Sequence, residues 1–100
     1  MSIMIKFDYR PLPKGLTIRQ STLDGVGLHA TTEWEPALML GKTHYFHDEA
    51  WQRTPLGGFI NHSEDPNCVI ITMGQERFLV TVRPISIREE LTIYYTLDQK

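Results

Sequence analysis

Residues 57–67, the central loop, constrain the fold of this chain more than any other stretch. They read Gly-Gly-Phe-Ile-Asn-His-Ser-Glu-Asp-Pro-Asn, so two glycines and a proline-containing turn enclose three consecutive polar side chains. Glycine lets a backbone bend or pass close to another group, and asparagine, histidine and serine can each hydrogen-bond to backbone or ligand. So much glycine and proline in so few residues argues against a helix. The stretch therefore predicts a rigid loop that presents polar groups to a bound molecule.

Short segments on both sides of the central loop predict a mainly β domain. Alternation of apolar and polar residues is the period of a strand with one buried face. Turn residues such as Gly25 and Gly74 separate neighbouring segments, and a turn between two such segments predicts a hairpin. The predicted strands are residues 16–20, 26–30, 68–72, 76–83 and 91–95.

The strand at residues 76–83 also carries a prediction about its buried side. Phe78, Val80 and Val82 alternate along it, so their side chains point to the same side. Because all three are apolar, we expect this side to face the core.

One short helix is predicted, at residues 48–53. Asp48 is a residue type that caps helix N-termini well. Pro55 follows closely, and proline ends a helix because it lacks a backbone N–H and fixes its own backbone angle. The expected helix has no more than two turns.

Length and composition suit one domain with a single core. The chain has 100 residues, 41% of them hydrophobic. Residues 1–15 are expected to form an irregular N-terminal arm with an edge strand at residues 3–7, because two prolines and Gly15 interrupt any longer element. Residues 16–95 then form the core of the domain.

Charge and composition exclude several classes of function. The net charge is −2, so no basic surface points to nucleic acid. No apolar run approaches the roughly 18 residues that span a bilayer, and no membrane association is expected. Cys68 is the single cysteine, which excludes an internal disulfide and a zinc site built from several cysteines. A lone cysteine fits the reducing cytoplasm.

Three kinds of site compete with the loop interpretation. His44, His47, Asp48 and Glu49 are close enough in sequence to suggest a metal site, but exposed loop histidines are several times more frequent. Ser63 or Cys68 with His62 as base suggests nucleophilic catalysis, although sequence neighbours seldom have the required geometry and Cys68 suits a small core residue. The Gly-Val-Gly of residues 25–27 lacks the third glycine and the helix of a dinucleotide site.

Three separate stretches together resemble the SET-domain protein lysine methyltransferases. They are Gly-Val-Gly at residues 25–27, Asn-His-Ser-Glu-Asp-Pro-Asn at residues 61–67, and Glu-Glu-Leu-Thr-Ile-Tyr-Tyr at residues 89–95. In that family a G-x-G strand comes first, an N-H-S-x-x-P-N loop follows, and G-E-E-L-T-x-x-Y closes the domain. The order and approximate spacing match from about Leu16 to Tyr95. The chain is similar to very short stand-alone viral or bacterial members of the family.

The resemblance implies a SET-like β-clip fold, in which small curved sheets surround a knot-like C-terminal segment. It implies S-adenosylmethionine as methyl donor on one side of the domain and a target lysine of a protein substrate on the other. It leaves a homodimer open, and it places the protein in the cytoplasm, or in the cytoplasm or nucleus of a host cell if it is viral.

The resemblance also implies roles for individual residues. Tyr95 matches the terminal catalytic tyrosine of the family, and Glu90 is expected to be structural. The implied cofactor-binding residues are Gly25, Val26, Gly27, Asn61 and His62. The implied lining of the lysine channel is Tyr45, Phe59 and Ile93.

An alternative function is a non-catalytic SET-like module that binds a peptide or protein. The family often has aspartate just before its terminal tyrosine, where this chain has Tyr94, and a glycine where it has Arg88. These departures concern substrate more than fold or cofactor.

Overall fold

Eight strands and one short helix make up the part of the chain that the computed structural model describes, residues 12–96. The predicted edge strand at residues 3–7 lies outside the described residues. No helix within the described part is long and apolar enough to cross a membrane. The prediction of a mainly β fold with one short helix is confirmed. The elements are β1 (Leu16–Gln20), β2 (Val26–Ala30), β3 (Met39–His47), β4 (Ala50–Arg53), α1 (Pro55–Gly58), β5 (Asn61–His62), β6 (Cys68–Met73), β7 (Glu76–Thr81) and β8 (Thr92–Ile93).

The strands form three small sheets. β1 and β2 form the antiparallel hairpin that the sequence predicts. β4, β3, β7 and β6 form a four-stranded antiparallel sheet in that order. β5 and β8 pair in parallel, with Asn61 opposite Thr92 and His62 opposite Ile93. This last sheet joins the central loop to the C-terminal segment, which are distant in sequence.

The helix predicted at residues 48–53 is wrong, because those residues form a tight turn and a strand. Asp48 and Glu49 have φ angles of 51° and 63° and connect β3 to β4. A two-residue hairpin turn of the right twist needs positive φ at both positions, which usually selects Asn-Gly or Asp-Gly. Here the strands stabilise the turn instead, because Phe46 faces Trp51 with ring centroids 5.4 Å apart.

The helix lies instead at Pro55–Gly58, where glycine and proline argued against one. Thr54 caps it, accepting a hydrogen bond from Gly57 N at 3.3 Å. Pro55 occupies the first turn, where a missing backbone N–H costs nothing. A Cβ at Gly57 would lie 2.3 Å from the carbonyl oxygen of Thr43, so only glycine lets this turn pack directly on β3.

The prediction of the buried side of β7 is also wrong. The buried residues are Arg77, Leu79 and Thr81, whereas Val82 is 48% exposed. The Thr81 hydroxyl donates to the carbonyl of Glu35 at 2.6 Å and accepts from a backbone N–H. The inner side of β7 can hold polar residues because their hydrogen-bonding groups find partners elsewhere in the chain. The alternation of apolar residues therefore indicated the wrong side of the strand.

The core lies between the three sheets and receives the C-terminal segment. Leu28, Leu79, Leu91 and Ile93 are each at most 1% exposed. Leu91 N donates to the carbonyl of Leu28 at 2.8 Å, which fixes the C-terminal segment against the β1–β2 hairpin. On its other side β8 pairs with β5, so the segment is held between the hairpin and the central loop.

Candidate functional site

Three polar side chains of the central loop bind the C-terminal segment. Asn61 donates to Glu90, His62 accepts from Tyr95, and Asn67 bonds to several groups between them. The two stretches that carry the most specific sequence motifs are therefore one hydrogen-bonded unit.

Asn67 holds this unit together from inside. Its side chain is 1% exposed. Its Nδ2 donates to the Glu90 carbonyl at 2.8 Å and to the Glu89 carboxylate at 3.0 Å, while its Oδ1 accepts from Thr92 N at 2.9 Å. A buried amide with every group bonded is stable. Asn67 is thus a structural cross-link and does not face outward.

The amide of Asn61 has a fixed orientation. Its Nδ2 lies 3.0 Å from the Asp24 carbonyl, 3.1 Å from the Val26 carbonyl and 2.9 Å from Glu90 Oε2. An amide turned the other way would place its oxygen against three acceptors. No described residue donates a hydrogen bond to Asn61 Oδ1. That oxygen can therefore accept a hydrogen bond from a ligand.

The Gly-Val-Gly stretch lies beside Asn61, and its second glycine is required by packing. A Cβ on Gly27 would lie 2.0 Å from Glu90 Oε2 and 3.0 Å from Asn61 Nδ2. Gly25 has φ 47°, and a Cβ built there would have no heavy atom within 4 Å. Glycine is favoured at this position by the backbone angle of the turn and not by packing. The Val26 side chain is 49% exposed while its carbonyl binds Asn61. Gly27 thus makes room for protein side chains.

Tyr95 is half-buried beside the same loop. Its hydroxyl donates to the carbonyl of Ile60 at 2.6 Å. Burial raises the pKa of the phenol, and the positive charge of Arg53 opposes this only in part. The hydroxyl therefore stays protonated at neutral pH. It can orient a neighbouring group through its oxygen lone pairs but cannot act as a phenolate base.

His62 connects Tyr95 to the end of the loop. Its Nδ1 accepts the backbone N–H of Tyr95 at 3.0 Å. The proton of the neutral ring is therefore on Nε2, which lies 2.9 Å from the Glu64 carboxylate. The ring also contacts Tyr94, with centroids 4.7 Å apart. His62 and the last two tyrosines form one aromatic cluster.

The three predicted channel residues lie in different places. Ile93 is 1% exposed and packs in the core. Phe59 is partly exposed and precedes Ile60, whose carbonyl binds Tyr95. Tyr45 lies on β3 and lines a cavity of about 470 Å³. The other residues lining that cavity are Lys42, Phe46, Met73, Gln75 and Glu76.

The side chains proposed for nucleophilic catalysis have structural contacts. Cys68 is fully buried, and burial raises its thiol pKa to about 12. The thiol is therefore protonated, and the prediction of a small core residue is confirmed. The Ser63 hydroxyl accepts a hydrogen bond from Asp65 N at 3.0 Å, which stabilises the turn.

Both histidines of the suggested metal site lie in β3 and not in a loop, and of the two only His47 is exposed as the sequence favoured. His44 is 2% exposed, and its Nδ1 lies 2.8 Å from the Thr43 hydroxyl. Burial lowers the pKa of His44, and the charges of Arg77 and Arg53 lower it further. His47 is on the surface. In the part of the chain that the structure describes, no three His, Cys, Asp or Glu side chains are gathered for a metal.

Sequence reasoning missed three contacts of this site. Glu90 bonds to Asn61 and to the Ser21 hydroxyl, and the carbonyl of Ile60 binds Tyr95. The signal for Glu90 was its place in the Glu-Glu-Leu-Thr motif. Nothing in the sequence marks a backbone carbonyl.

Comparison with protein-family models gives one match over residues 6–96, to the model described as SET domain. No curated protein sequence matched the chain.

Solved structures share the fold at low identity. A protein of Plasmodium falciparum proposed to be a histone methyltransferase superposes with a TM-score of 0.71 at 15% identity, covering 86% of this chain and 96% of that one. The methyltransferase domain of human PR domain-containing protein 2 superposes with a TM-score of 0.68 at 16% identity, covering 85% of this chain and 79% of that one. A humanized mutant of the Chaetomium thermophilum Polycomb Repressive Complex 2, bound to an inhibitor, superposes with a TM-score of 0.71 at 18% identity. The match covers 86% of this chain and 15% of that one.

Proposed function

The chain belongs to the SET-domain family, and from this premise we propose that it is a protein lysine N-methyltransferase that uses S-adenosylmethionine. The observation that supports this most is the joining of three distant stretches at one place. Asn61 bonds to the carbonyls of Asp24 and Val26 on one side and to Glu90 on the other. Tyr95 lies against the same loop through Ile60.

The acceptor groups at this site fit the ammonium group in the methionine part of S-adenosylmethionine. Asn61 Oδ1 is an acceptor without a partner among the described residues, and the Glu90 carboxylate lies next to the amide. An acceptor beside a negative charge suits an ammonium group. We assign Asn61 Oδ1 to the ammonium group of S-adenosylmethionine. The backbone of residues 25–27 and 61–62 is assigned to the rest of that molecule. Bound there, S-adenosylmethionine supplies a methyl group activated on a sulfonium sulfur.

Tyr95 is assigned to the reacting side of the site. Its hydroxyl stays protonated and is held by Ile60, so its oxygen has a lone pair to complement a partly positive methyl group through a weak C–H···O contact. Positioning of reactants can supply roughly 7–11 kcal/mol of a barrier. Burial next to a cation lowers the pKa of a lysine amine. A strong general base is therefore unnecessary.

The decisive experiment combines binding and turnover. Calorimetry with S-adenosylmethionine should show saturable binding, and isotopic methyl transfer to lysine peptides or a cell lysate should label protein. The Tyr95→Phe variant is the matched control, because it keeps the ring and loses only the hydroxyl. Absence of both binding and transfer by the folded protein would contradict the proposal.

The alternative, a non-catalytic module that binds a peptide or protein, rests on the residue before Tyr95. Tyr94 stands where the family often has aspartate, and it is 54% exposed. A module of this kind would bind lysine peptides without labelling them, in the presence of the methyl donor. The isotopic methyl-transfer assay therefore separates the two functions.

A further inference from the structure

We propose that Glu90 is a positioning residue, which orients the Asn61 amide and so sets the affinity for ligands that carry an ammonium group. This inference rests on the proposed function, because it assigns Asn61 Oδ1 to the amino-acid part of the methyl donor.

The Glu90 carboxylate connects the two sides of the site. Its Oε2 accepts from Asn61 Nδ2 at 2.9 Å, and its Oε1 accepts from the Ser21 hydroxyl at 2.7 Å. Ser21 is the first residue of the turn between β1 and β2, whereas Glu90 belongs to the C-terminal segment. One carboxylate thus fixes the amide and the turn that supplies its backbone partners.

A carboxylate suits this position because both of its oxygens must accept. The Ser21 hydroxyl oxygen already accepts from Leu23 N at 2.8 Å and from Asp24 N at 3.3 Å, so its proton is directed to Glu90. An amide at position 90 would present a donor to one of its two partners. Glutamine can therefore keep the bond to Asn61, but it loses the charge and weakens the contact with Ser21.

Gly27 shows that this space is reserved for Glu90. A Cβ at Gly27 would lie 2.0 Å from Glu90 Oε2 and 2.8 Å from the carboxyl carbon. The backbone of Gly27 does not have the positive φ that alanine disfavours. Gly27→Ala should therefore displace the Glu90 side chain without straining the backbone, and it disturbs the same contact from the opposite side.

Without Glu90, water can enter beside Asn61. Water donates as well as accepts, so it removes the Glu90 part of the penalty on the reversed amide, while the carbonyls of Asp24 and Val26 still oppose it. The Asn61 oxygen would then face a ligand ammonium for only part of the time. The nearby negative charge, which favours a cation, would also be lost.

The test compares two ligands by calorimetry in the full chain. S-adenosylhomocysteine carries the ammonium, whereas 5′-methylthioadenosine keeps the adenosine and the thioether but lacks the amino-acid group. Glu90→Ala should weaken binding of the first about tenfold, equivalent to about 1.4 kcal/mol, and binding of the second less than twofold. Glu90→Gln should weaken S-adenosylhomocysteine binding by an intermediate amount. Gly27→Ala should weaken it about as much as Glu90→Ala does. Glu33→Ala, a change at an exposed carboxylate outside the site, should alter neither.

A double-mutant cycle tests whether Glu90 acts through Asn61. In an Asn61→Ala background, Glu90→Ala should weaken S-adenosylhomocysteine binding less than it does in the parent, because the amide it orients is gone and only the loss of the nearby charge remains. In steady-state assays Glu90→Gln should raise KM for the methyl donor with little change in kcat.

Two results would overturn the inference, and they are distinguishable. If Glu90→Gln and Gly27→Ala weaken both ligands equally, Glu90 only supports the fold. If the unchanged protein binds neither ligand, the proposed function fails, and this inference fails with it. Should Glu90→Ala not fold, the glutamine and Gly27 variants give the same comparison.

Discussion

The Nδ1 atom of His62 accepts the backbone N–H of Tyr95 at 3.0 Å, while the hydroxyl at the other end of Tyr95 donates to the carbonyl of Ile60 at 2.6 Å. Two residues of the central loop therefore hold the tyrosine at both ends. Its position depends on the loop as much as on the segment that follows β8.

His62→Ala should lower turnover about tenfold, because the backbone of Tyr95 loses an acceptor and the aromatic ring shifts. His62→Asn should recover most of the activity, since its Oδ1 can take the place of Nδ1. Steady-state kinetics of both variants, with circular dichroism to check the fold, measure this. Equal activity of the alanine and asparagine variants would show that the hydrogen bond does not matter.

Tyr95→Phe should lower turnover by about 10²-fold or more, or some 3 kcal/mol of barrier. Losing the bond to Ile60 should cost about 1 kcal/mol of folding free energy. Affinity for S-adenosylmethionine should change much less than turnover. A folded variant with full turnover would mean that the tyrosine only packs.

Asn67→Ala should destabilise the fold by about 3 kcal/mol or more. It leaves Thr92 N and the Glu90 carbonyl buried without their partner, and each such group costs roughly 1–3 kcal/mol. Urea unfolding measures the change. Asn67→Asp is the informative comparison, because it keeps the acceptor for Thr92 but places an oxygen against the Glu89 carboxylate. A stability like that of the parent in either variant would contradict the cross-link.

Acid should destabilise the protein through His44, whose pKa is lowered in the fold by burial and by Arg77 and Arg53. The unfolded chain then binds the proton more readily than the folded chain. Stability from this group is therefore complete above about pH 6.5, the ordinary value, and falls as the pH drops below it, by at most about 1.4 kcal/mol per pH unit. His44→Gln should flatten this fall in urea unfolding measured from pH 8 to pH 5. A parallel decline in variant and parent would assign the acid sensitivity elsewhere.

Leu79→Ala should cost about 2–5 kcal/mol of stability, as usual for a large core residue. Val80→Ala should cost about 1 kcal/mol or less, because Val80 lies on the outer, half-buried side of β7. Chemical denaturation of the two variants tests which side faces the core. The opposite order would restore the sequence-based assignment.

The sequence alone determined the β-rich class, the β1–β2 hairpin and the three stretches that meet at the site. These features depend on local periodicity, on turn residues and on motifs whose order is readable without coordinates. The catalytic and cofactor roles of Tyr95, Asn61, His62 and the 25–27 stretch stay predictions for the experiments above.

Tertiary structure decided what local pattern could not. Asp48 and Glu49 form a turn because the strands they join pair their aromatic residues. The sequence could not predict the inner side of β7, because the hydroxyl of Thr81 finds its hydrogen-bond partners more than 40 positions away in the sequence. Gly27 is glycine because Glu90, far along the chain, fills the space of its missing side chain. Each outcome depends on which distant group occupies a given volume or hydrogen bond, and only the folded chain brings such groups together.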